Sequence, residues 1–304
     1  MTKKTKKLLS VITLNVKGFS DYTKRHSTFL SLRSHPADII LLQETNITPL
    51  QISFIQSQWL LSSYWNYYTA ILINNKNIIV NKFQEFYGGR YTSLEFSLNG
   101  TLYNINNIYA PPQRKERLSF WTNLSLYSNS EAMNLIGGDF NCVLYPNRDR
   151  KSSSSYHTDP SSAQVFQKLA NFIDCYPSNS HNLLFTFSMN TQLGLLLSRL
   201  DYLFMDSAQT HLHTKTSTFY ANSDHLAVKT EFFLPPTSTS NNIWKLNTSL
   251  LNDKVLRTKL CEHMTNFSEK AIHWDIFFFF NLFLLFYIDK NRLLSIYKLL
   301  HLIL

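Results

Sequence analysis

Residues 135–144 read LIGGDFNCVL. An apolar run ends in two adjacent glycines, and Asp139 and Asn141 then stand on either side of one phenylalanine. Only seven of the 304 residues are glycine, so a glycine pair directly before a carboxylate marks a place where the backbone turns sharply or approaches another chain segment closely. The stretch predicts a buried strand that ends at a site made of polar side chains.

Composition and charge set broad limits on the class of protein. The 44% apolar fraction is enough for a large core, and the formal charge of +9 favours an acidic partner such as nucleic acid or an anionic membrane surface. Cys142, Cys175 and Cys261 are far apart and form no CxxC pair, which suits a reducing compartment and argues against a zinc cluster.

The first residues, MTKKTKKLLSVITL, resemble a secretory signal in having lysines before an apolar stretch. That stretch is only seven residues long and no small-residue cleavage site follows it. We therefore interpret residues 1–7 as a basic arm that leads into a first strand. The expected location is nuclear or cytoplasmic, and secretion is not expected.

Apolar periodicity predicts more strands than helices, with the helices spread along the chain. Two β-sheets packed face to face, with helices outside, would bury such two-sided apolar strands. Helices are predicted at Tyr22–Ser34, near Pro112 and at Ala163–Asp174. Strands are predicted at 8–16, Ile39–Leu42, Ala70–Ile73, Ile78–Phe83, Tyr91–Ser97, Thr101–Tyr109, 133–138, Leu184–Phe187, Arg199–Phe204, Thr214–Tyr220 and Leu226–Leu234.

Polar residues stand at the ends of several of these strands and could be gathered by loops into one site. Mg²⁺ takes hard oxygen ligands, which Glu44 and Asp224 could supply. Asp139 and Asn141, two apart in an extended chain, would point to the same side and orient a water. The other candidates at strand ends are Asn15, Asp201 and His225, and a carboxylate such as Asp201 would hold His225 in its cationic form.

Each of these residues also has a purely structural interpretation. A lone Asp-His pair is usually a turn, and Tyr109 before two prolines could be an aromatic at a strand edge. Arg199 could pair with a carboxylate in the core or contact a phosphate. The aromatic group Trp65, Tyr67 and Tyr68 could stack on bases or fill the core. The order of the candidate residues along the chain makes a shared site the better interpretation.

That order resembles the exonuclease–endonuclease–phosphatase superfamily, and within it the endonuclease domain of LINE-type non-LTR retrotransposon proteins. The resemblance covers residues 8–234 and implies a four-layer α/β sandwich, with two mixed β-sheets packed face to face and helices outside. The matching stretches are, in order, TLNVKGF, DIILLQET, NIYAPP, IGGDFNCVL, LFTFS, SRLDYLF and NSDHLAV.

The resemblance also implies roles for individual residues. Glu44 would be the main ligand of Mg²⁺, with Mn²⁺ as an alternative ion, and Asp224 would complete the metal site. Asp139 would act on the attacking water, and Asp201 would pair with His225. Asn15 and Asn141 would contact the phosphate and the nucleophile, Tyr109 would hydrogen-bond the scissile phosphate, and Thr186, Arg199 and Ser223 would lie against the DNA.

The chain departs from the family pattern in a few places. Lys17 stands where relatives outside this branch carry an acidic or amide residue, which makes a second metal contact doubtful. We expect a linker at residues 235–243 and a helical and apolar tail at 244–304, in a chain truncated before any reverse transcriptase. The 13-residue apolar run at 276–288 is too short for a membrane span, so membrane association is not expected.

The sequence therefore favours a Mg²⁺-dependent endonuclease that nicks DNA and leaves a 3′-hydroxyl group. Two alternatives remain open. One is a catalytically degenerate relic that at most binds nucleic acid. The other, ranked lower, is an inositol-phosphate phosphatase or a sphingomyelin phosphodiesterase with the same fold.

Overall fold

The computed structural model describes residues 8–151, 159–176, 185–192, 194–234 and 258. The expected basic arm 1–7, the linker 235–243 and the tail 244–304 lie outside the described residues, apart from residue 258. Among the helices of the described part, none is long and apolar enough to cross a membrane.

The described part contains fifteen strands and five α-helices. The helices are α1 (Tyr22–Ser34), α2 (Pro49–Gln56), α3 (Arg114–Asn123), α4 (Pro146–Asp149) and α5 (Ser161–Lys168). The strands are β1 (Leu8–Asn15), β2 (Ile39–Gln43), β3 (Ser63–Trp65), β4 (Thr69–Ile73), β5 (Ile79–Phe86), β6 (Tyr91–Leu98), β7 (Thr101–Tyr109), β8 (Met133–Asp139), β9 (Arg150–Lys151), β10 (Phe172–Asp174), β11 (Phe187–Thr191), β12 (Gly194–Ser198), β13 (Asp201–Asp206), β14 (His213–Tyr220) and β15 (Leu226–Phe233).

Two six-stranded sheets form the body of the fold. The first has the order β14-β15-β1-β2-β4-β3 and the second the order β10-β13-β8-β7-β6-β5. Each sheet is mixed, because β1 and β2 in the first and β7 and β8 in the second are parallel, whereas the other neighbours are antiparallel. A small third sheet has the order β11-β12-β9.

The apolar core lies in three layers that follow the period-two alternation of the strands. Inward residues such as Val11 and Leu41 of the first sheet pack against Ile105 and Leu135 of the second. Outward residues of the first sheet pack on α1 and α2, and those of the second sheet pack on α3 and α5. This arrangement confirms the four-layer α/β sandwich, with helices outside two face-to-face sheets.

Polar side chains cross the space between the two sheets near one end of the sandwich. The Gln43 side-chain nitrogen donates to Asn107 Oδ1 at 2.7 Å, and Asn107 Nδ2 donates to the carbonyl oxygens of Leu42 and Ala70 at 3.0 Å each. All of these groups are buried. Buried amides need such partners, so these bonds fix how the two sheets are aligned.

The same end of the sandwich collects the ends of many strands. The carboxyl ends of β1, β2, β7 and β8 lie there, and so do the amino ends of the antiparallel strands β13 and β15. The inward alternation continues to the terminal position of each strand at this end, which places Asn15, Tyr109, Asp139 and Asp201 on the inner faces. The expected gathering of polar strand ends follows from this geometry.

Most sequence-based elements agree with the structure, and α1 has the predicted bounds Tyr22–Ser34. The helix predicted at Ala163–Asp174 is wrong in its second half, because α5 ends at Lys168 and Phe172–Asp174 pairs with β13. The pattern did not predict α2, β3 or β12. The strand predicted at Leu184–Phe187 lies partly outside the described residues, and β11 begins at Phe187.

Candidate active site

Asn15, the last residue of β1, connects carboxylates from the two sheets. Its side-chain nitrogen donates to Glu44 Oε2 at 3.1 Å and to Asp139 Oδ2 at 2.8 Å. Its side-chain oxygen accepts the backbone N–H of Lys17 at 2.8 Å, which fixes the orientation of the amide. One buried amide therefore holds Glu44 and Asp139 close together although they are 95 positions apart in sequence.

Glu44 follows β2 in a left-handed backbone conformation, with φ of 53°. Such strain in a residue other than glycine is typical of functional sites. Burial raises the pKa of Tyr109 well above its ordinary value, and the charges of Glu44 and Asp139 and a hydrogen bond with Glu44 raise it further. The Tyr109 phenol is therefore a neutral hydrogen-bond donor at physiological pH.

The glycine pair explains how β8 positions Asp139 in the site. Gly138 has φ of +143°, and a Cβ at this position would lie 1.9 Å from the carbonyl oxygen of Ile108 on the neighbouring strand β7. Only a residue without a side chain allows this approach. The close contact leaves β7 and β8 in register to their last residues, where Tyr109 and Asp139 lie opposite each other.

Asn141 reaches the site by a turn and not by strand alternation, which corrects the expectation of an extended chain. Its φ is 50°, its backbone N–H donates to Asp139 Oδ1 at 2.8 Å, and its side-chain nitrogen donates to the carbonyl oxygen of Ala110 at 2.8 Å. This Asx-type turn holds the Asn141 backbone against Asp139 and ties its side chain to Ala110, whose backbone N–H donates to the carbonyl oxygen of Asp139.

The environment of Asp139 favours its neutral form more than water does. Burial raises the pKa of Asp139 to about 7, and repulsion from Asp201 adds to the effect, whereas His225 and the hydrogen bond from Asn15 lower it. A carboxyl group with a pKa near neutrality can accept and release a proton under physiological conditions.

His225 and Asp201 form a buried pair beside Asp139. The distance from His225 Nδ1 to Asp201 Oδ2 is 2.8 Å, and the side chains are 7% and 0% exposed. Burial acts to lower the pKa of His225, but the charge and hydrogen bond of Asp201, with help from Asp139 and Asp224, raise it to about 10. The imidazole is therefore cationic at neutral pH.

A family model described as the Endonuclease/Exonuclease/phosphatase family matches residues 12–225, which include all of the site residues described above. The chain belongs to the endonuclease/exonuclease/phosphatase family. The 149 kDa protein of transposon TX1 from Xenopus laevis is 27% identical over 260 residues, which are 81% of this chain and 20% of that protein. The chain thus spans about one fifth of this curated relative.

Solved structures show the same fold at low sequence identity. TDP2 of D. rerio, complexed with a single-strand DNA product, has a TM-score of 0.54 at 16% identity and covers 75% of this chain and 99% of that chain. The endonuclease domain of TRAS1, a telomere-specific non-LTR retrotransposon, has a TM-score of 0.52 at 12% identity, covering 74% and 99%. The AP endonuclease LMAP from Leishmania major has a TM-score of 0.55 at 15% identity, covering 75% and 88%.

The donor set of this family member fits a divalent cation. Ligand atoms of Asp139, Asp201 and His225 lie within 4.8 Å of one another, and Asp201 Oδ1 is buried without a hydrogen-bond partner. His225 in its cationic form has no free lone pair, so the carboxylates are the better ligands. Among the described residues, no lysine or arginine lies within ion-pair distance of Glu44, which leaves its charge free for a cation.

Asp224, the second expected metal ligand, is paired with a lysine. Lys17 Nζ lies 2.5 Å from Asp224 Oδ2. Burial acts to raise the pKa of Asp224, but the hydrogen bond and charge of Lys17 outweigh it and lower the pKa below the ordinary value. Ser223 holds this segment in place, since its hydroxyl group donates to the carbonyl oxygen of Asn15 at 2.7 Å.

The expected DNA contact of Arg199 is corrected by the structure. Arg199 is 3% exposed, and its guanidinium donates to Asp174 at 2.5 and 2.7 Å while stacking on Tyr202 at 4.3 Å. A buried and fully paired guanidinium cannot reach a phosphate. The alternative that Arg199 pairs with a carboxylate in the core is the one that the structure shows.

The expectation that Thr186 lines the DNA cleft is also corrected. Thr186 is 1% exposed, and its hydroxyl oxygen accepts the backbone N–H groups of Leu200 and Asp201 at 3.0 and 3.2 Å. Its role in the structure is to fix the start of β13 and with it the position of Asp201.

Sequence reasoning missed two features that surround the site. No local sequence pattern indicates the hydrogen bond between Gln43 and Asn107, because the two residues are 64 positions apart. Arg90 lies against Tyr109, with 5.0 Å between the guanidinium carbon and the ring centre. The GGR stretch at 88–90 was a visible signal for a special backbone position, but not for the contact with Tyr109.

Proposed function

We propose that this domain is a Mg²⁺-dependent endonuclease that hydrolyses DNA phosphodiester bonds, nicking a strand and leaving a 3′-hydroxyl group. The observation that carries the proposal is the chain of hydrogen bonds from Glu44 through Asn15 to Asp139, next to the ion pair of cationic His225 with Asp201. The charge of +9 and the similarity to a transposon protein and to a retrotransposon endonuclease domain support DNA as the substrate. For an enzyme that cuts DNA we expect a nuclear or cytoplasmic location.

The attacking group is a water molecule held by Asp139 and Asn141. Asp139 takes a proton from the water as its oxygen bonds to phosphorus in line with the leaving oxygen. The bond between phosphorus and the 3′ oxygen then breaks, and the leaving oxygen takes a proton from solvent water, which gives a 5′-phosphate and a 3′-hydroxyl group. The turn that ties Asn141 to Asp139 fixes the geometry of the two groups relative to each other.

Two preorganised hydrogen-bond donors would stabilise the negative charge on the phosphate oxygens. His225 is cationic and held by Asp201, and the Tyr109 hydroxyl group lies beside Glu44. A divalent cation held by Glu44 would polarise the phosphate and stabilise the leaving oxygen. Asn15 keeps Glu44 and Asp139 at a fixed separation.

One observation favours the second candidate, a degenerate domain that binds nucleic acid without cutting it. The Lys17–Asp224 ion pair occupies a carboxylate that was expected to hold metal. Protein of this kind would shift DNA on a gel but would not nick it with Mg²⁺ or Mn²⁺.

Plasmid nicking tests the proposal directly. Purified protein should convert supercoiled plasmid to the open circular form in Mg²⁺, and EDTA should stop the conversion. Replacing Glu44 with alanine should slow nicking by about 10²–10³, because the charge that holds the cation is removed. The rate of open-circle formation, at equal folded protein, is the measurement.

Glu131→Ala is the matched control for Glu44→Ala. Glu131 is exposed and precedes β8, whose length alone separates it by about 20 Å from the strand end that carries Asp139. This variant should nick like the wild type. Equal rates for Glu44→Ala and Glu131→Ala would rule out Glu44 as the metal ligand.

The pH dependence of nicking follows from two pKa shifts. Asp139 must be ionised and His225 protonated, so kcat/KM should rise with pH through about 7 and fall through about 10. Asp201→Asn removes the main influence that raises the pKa of His225 and one that raises the pKa of Asp139. Both limbs of the pH profile should therefore move to lower pH.

Asp206→Asn, at the opposite end of β13, is the control for this shift. Its profile should match that of the wild type. A profile for Asp201→Asn that has lost rate but kept both limbs in place would show that Asp201 does not set the charge of His225.

A further inference from the structure

Arg90 lies in the wall of the candidate active site. It directly precedes β6, and its carbonyl oxygen accepts the backbone N–H of Tyr109 at 2.8 Å. Its guanidinium carbon lies 4.0 Å from the ring centre of Tyr68 and 5.0 Å from that of Tyr109. Since the charge of Glu44 acts on the pKa of Tyr109, the positive charge of Arg90 is one aromatic ring away from the expected metal ligand.

The backbone segments that carry this stack are held in place on both sides. The carbonyl oxygen of Tyr68 accepts the N–H of Thr45 at 3.1 Å, and the hydroxyl group of Thr69 donates to the carbonyl oxygen of Gly89 at 3.0 Å. The guanidinium is therefore positioned before any ligand arrives, and little side-chain freedom is lost on binding.

Arg90 has no anionic partner among the described residues. No carboxylate there lies within 4.0 Å of its guanidinium, and its Nη1 atom is buried without a hydrogen-bond partner. A cation that is only partly buried and has no carboxylate partner there, next to a site for a phosphodiester, is suited to an anion from outside the protein. Three other arginines differ in having a carboxylate at 2.5 or 2.6 Å, namely Arg117 with Asp159, Arg148 with Asp149 and Arg199 with Asp174.

We propose that Arg90 binds a backbone phosphate of the DNA next to the phosphate that is cut, a contact that rests on the nuclease function proposed above. The planar guanidinium presents paired N–H donors that match two phosphate oxygens. Tyr68 and Tyr109 hold it near Glu44, so the bound phosphate would place its neighbour beside Glu44 and Asp139.

Salt dependence of DNA binding tests the contact. Fluorescence anisotropy with a short labelled duplex in Mg²⁺, in an Asp139→Asn background, gives Kd over salt from about 50 to 200 mM. Adding Arg90→Gln should weaken binding about tenfold and reduce the slope of log K against log salt by about 0.9, the value for one lost phosphate contact. Arg90→Lys should restore the slope, because it restores the charge.

Arg33→Gln is the matched control. Arg33 also stacks on an aromatic ring, with its guanidinium carbon 5.8 Å from the ring centre of Trp59, but it lies near the far end of α1, about 16 Å along the helix from Tyr22. For Arg33→Gln, the slope of log K against log salt should equal that of the Asp139→Asn background protein. Altered packing alone would weaken binding without changing the slope.

The outcomes separate this contact from the function on which it rests. If wild-type protein nicks plasmid and Arg90→Gln leaves the slope unchanged, the Arg90 contact is wrong and the nuclease stands. If Arg33→Gln lowers the slope as much as Arg90→Gln, the contact is not specific and is also wrong. If wild-type protein neither nicks nor binds the duplex, both proposals fall.

Discussion

Asp139→Asn is expected to slow plasmid nicking by about 10²–10⁴, the contribution of a positioned general base. Asparagine has nearly the same shape but cannot take a proton from water. It can also keep only one of the two hydrogen bonds that Asp139 accepts, from Asn141 N–H and from Asn15 Nδ2. The measurement is the single-turnover rate of open-circle formation in Mg²⁺, with protein in excess over plasmid.

Asp38→Asn separates lost chemistry from lost hydrogen bonds. Asp38 likewise accepts from a backbone N–H, that of Ser10 at 2.7 Å, and from the side chain of Asn75 at 2.8 Å, but it precedes β2 and lies at the opposite end of the sheet from Glu44. This variant should lose stability and keep its rate per folded molecule. If the nicking rate per folded molecule of Asp139→Asn is no lower than that of Asp38→Asn, another group activates the water.

Gly138→Ala is expected to cost at least about 4 kcal/mol of unfolding free energy, a large part of the roughly 5–15 kcal/mol typical of a domain. The added Cβ would lie 1.9 Å from the carbonyl oxygen of Ile108, and backbone cannot rotate out of the way as a side chain can. Either β8 moves away from β7 or the residue leaves its φ of +143°. Urea unfolding followed by circular dichroism measures the loss of unfolding free energy. In the extreme case the variant would fail to accumulate as soluble protein.

Gly100→Ala is the matched control for this steric clash. Gly100 also has a positive φ, +79°, but a Cβ there would meet nothing within 4 Å. The substitution should cost only the conformational penalty of a left-handed residue, about 1–2 kcal/mol. Similar losses for Gly138→Ala and Gly100→Ala would mean that the close approach of β7 and β8 is not what requires glycine at 138.

The sandwich could be predicted because its strands carry a simple signal. Apolar residues on both faces of β2 and β8 indicate strands that are covered on both sides, and two sheets with outer helices provide that cover. The site could be located for the same reason, since the alternation that buries Leu135 also turns Asp139 inward. The positions of Asn15, Asp139 and Asp201 thus follow from local pattern, whereas Asn141 is placed by a turn that strand alternation does not predict.

The errors came from contacts that are distant in sequence. Residues 172–174 continue a helical pattern, but pairing with β13 some 30 positions later makes them an edge strand. Tertiary pairing of this kind overrides local preference. The sequence left Arg199 with either a core carboxylate or a phosphate as its partner, because Asp174 stands 25 positions earlier and no local pattern joins the two residues.

The hydrogen bond between Gln43 and Asn107 has a consequence for how the proposed activity would be lost. Glu44 follows a strand of one sheet and Asp139 ends a strand of the other, so neither sheet alone would contain the proposed centre. Slippage of one layer by a single residue would separate the two carboxylates while leaving every strand intact. Loss of cutting would then precede loss of secondary structure, and activity would serve as the sensitive gauge of whether the two halves remain docked.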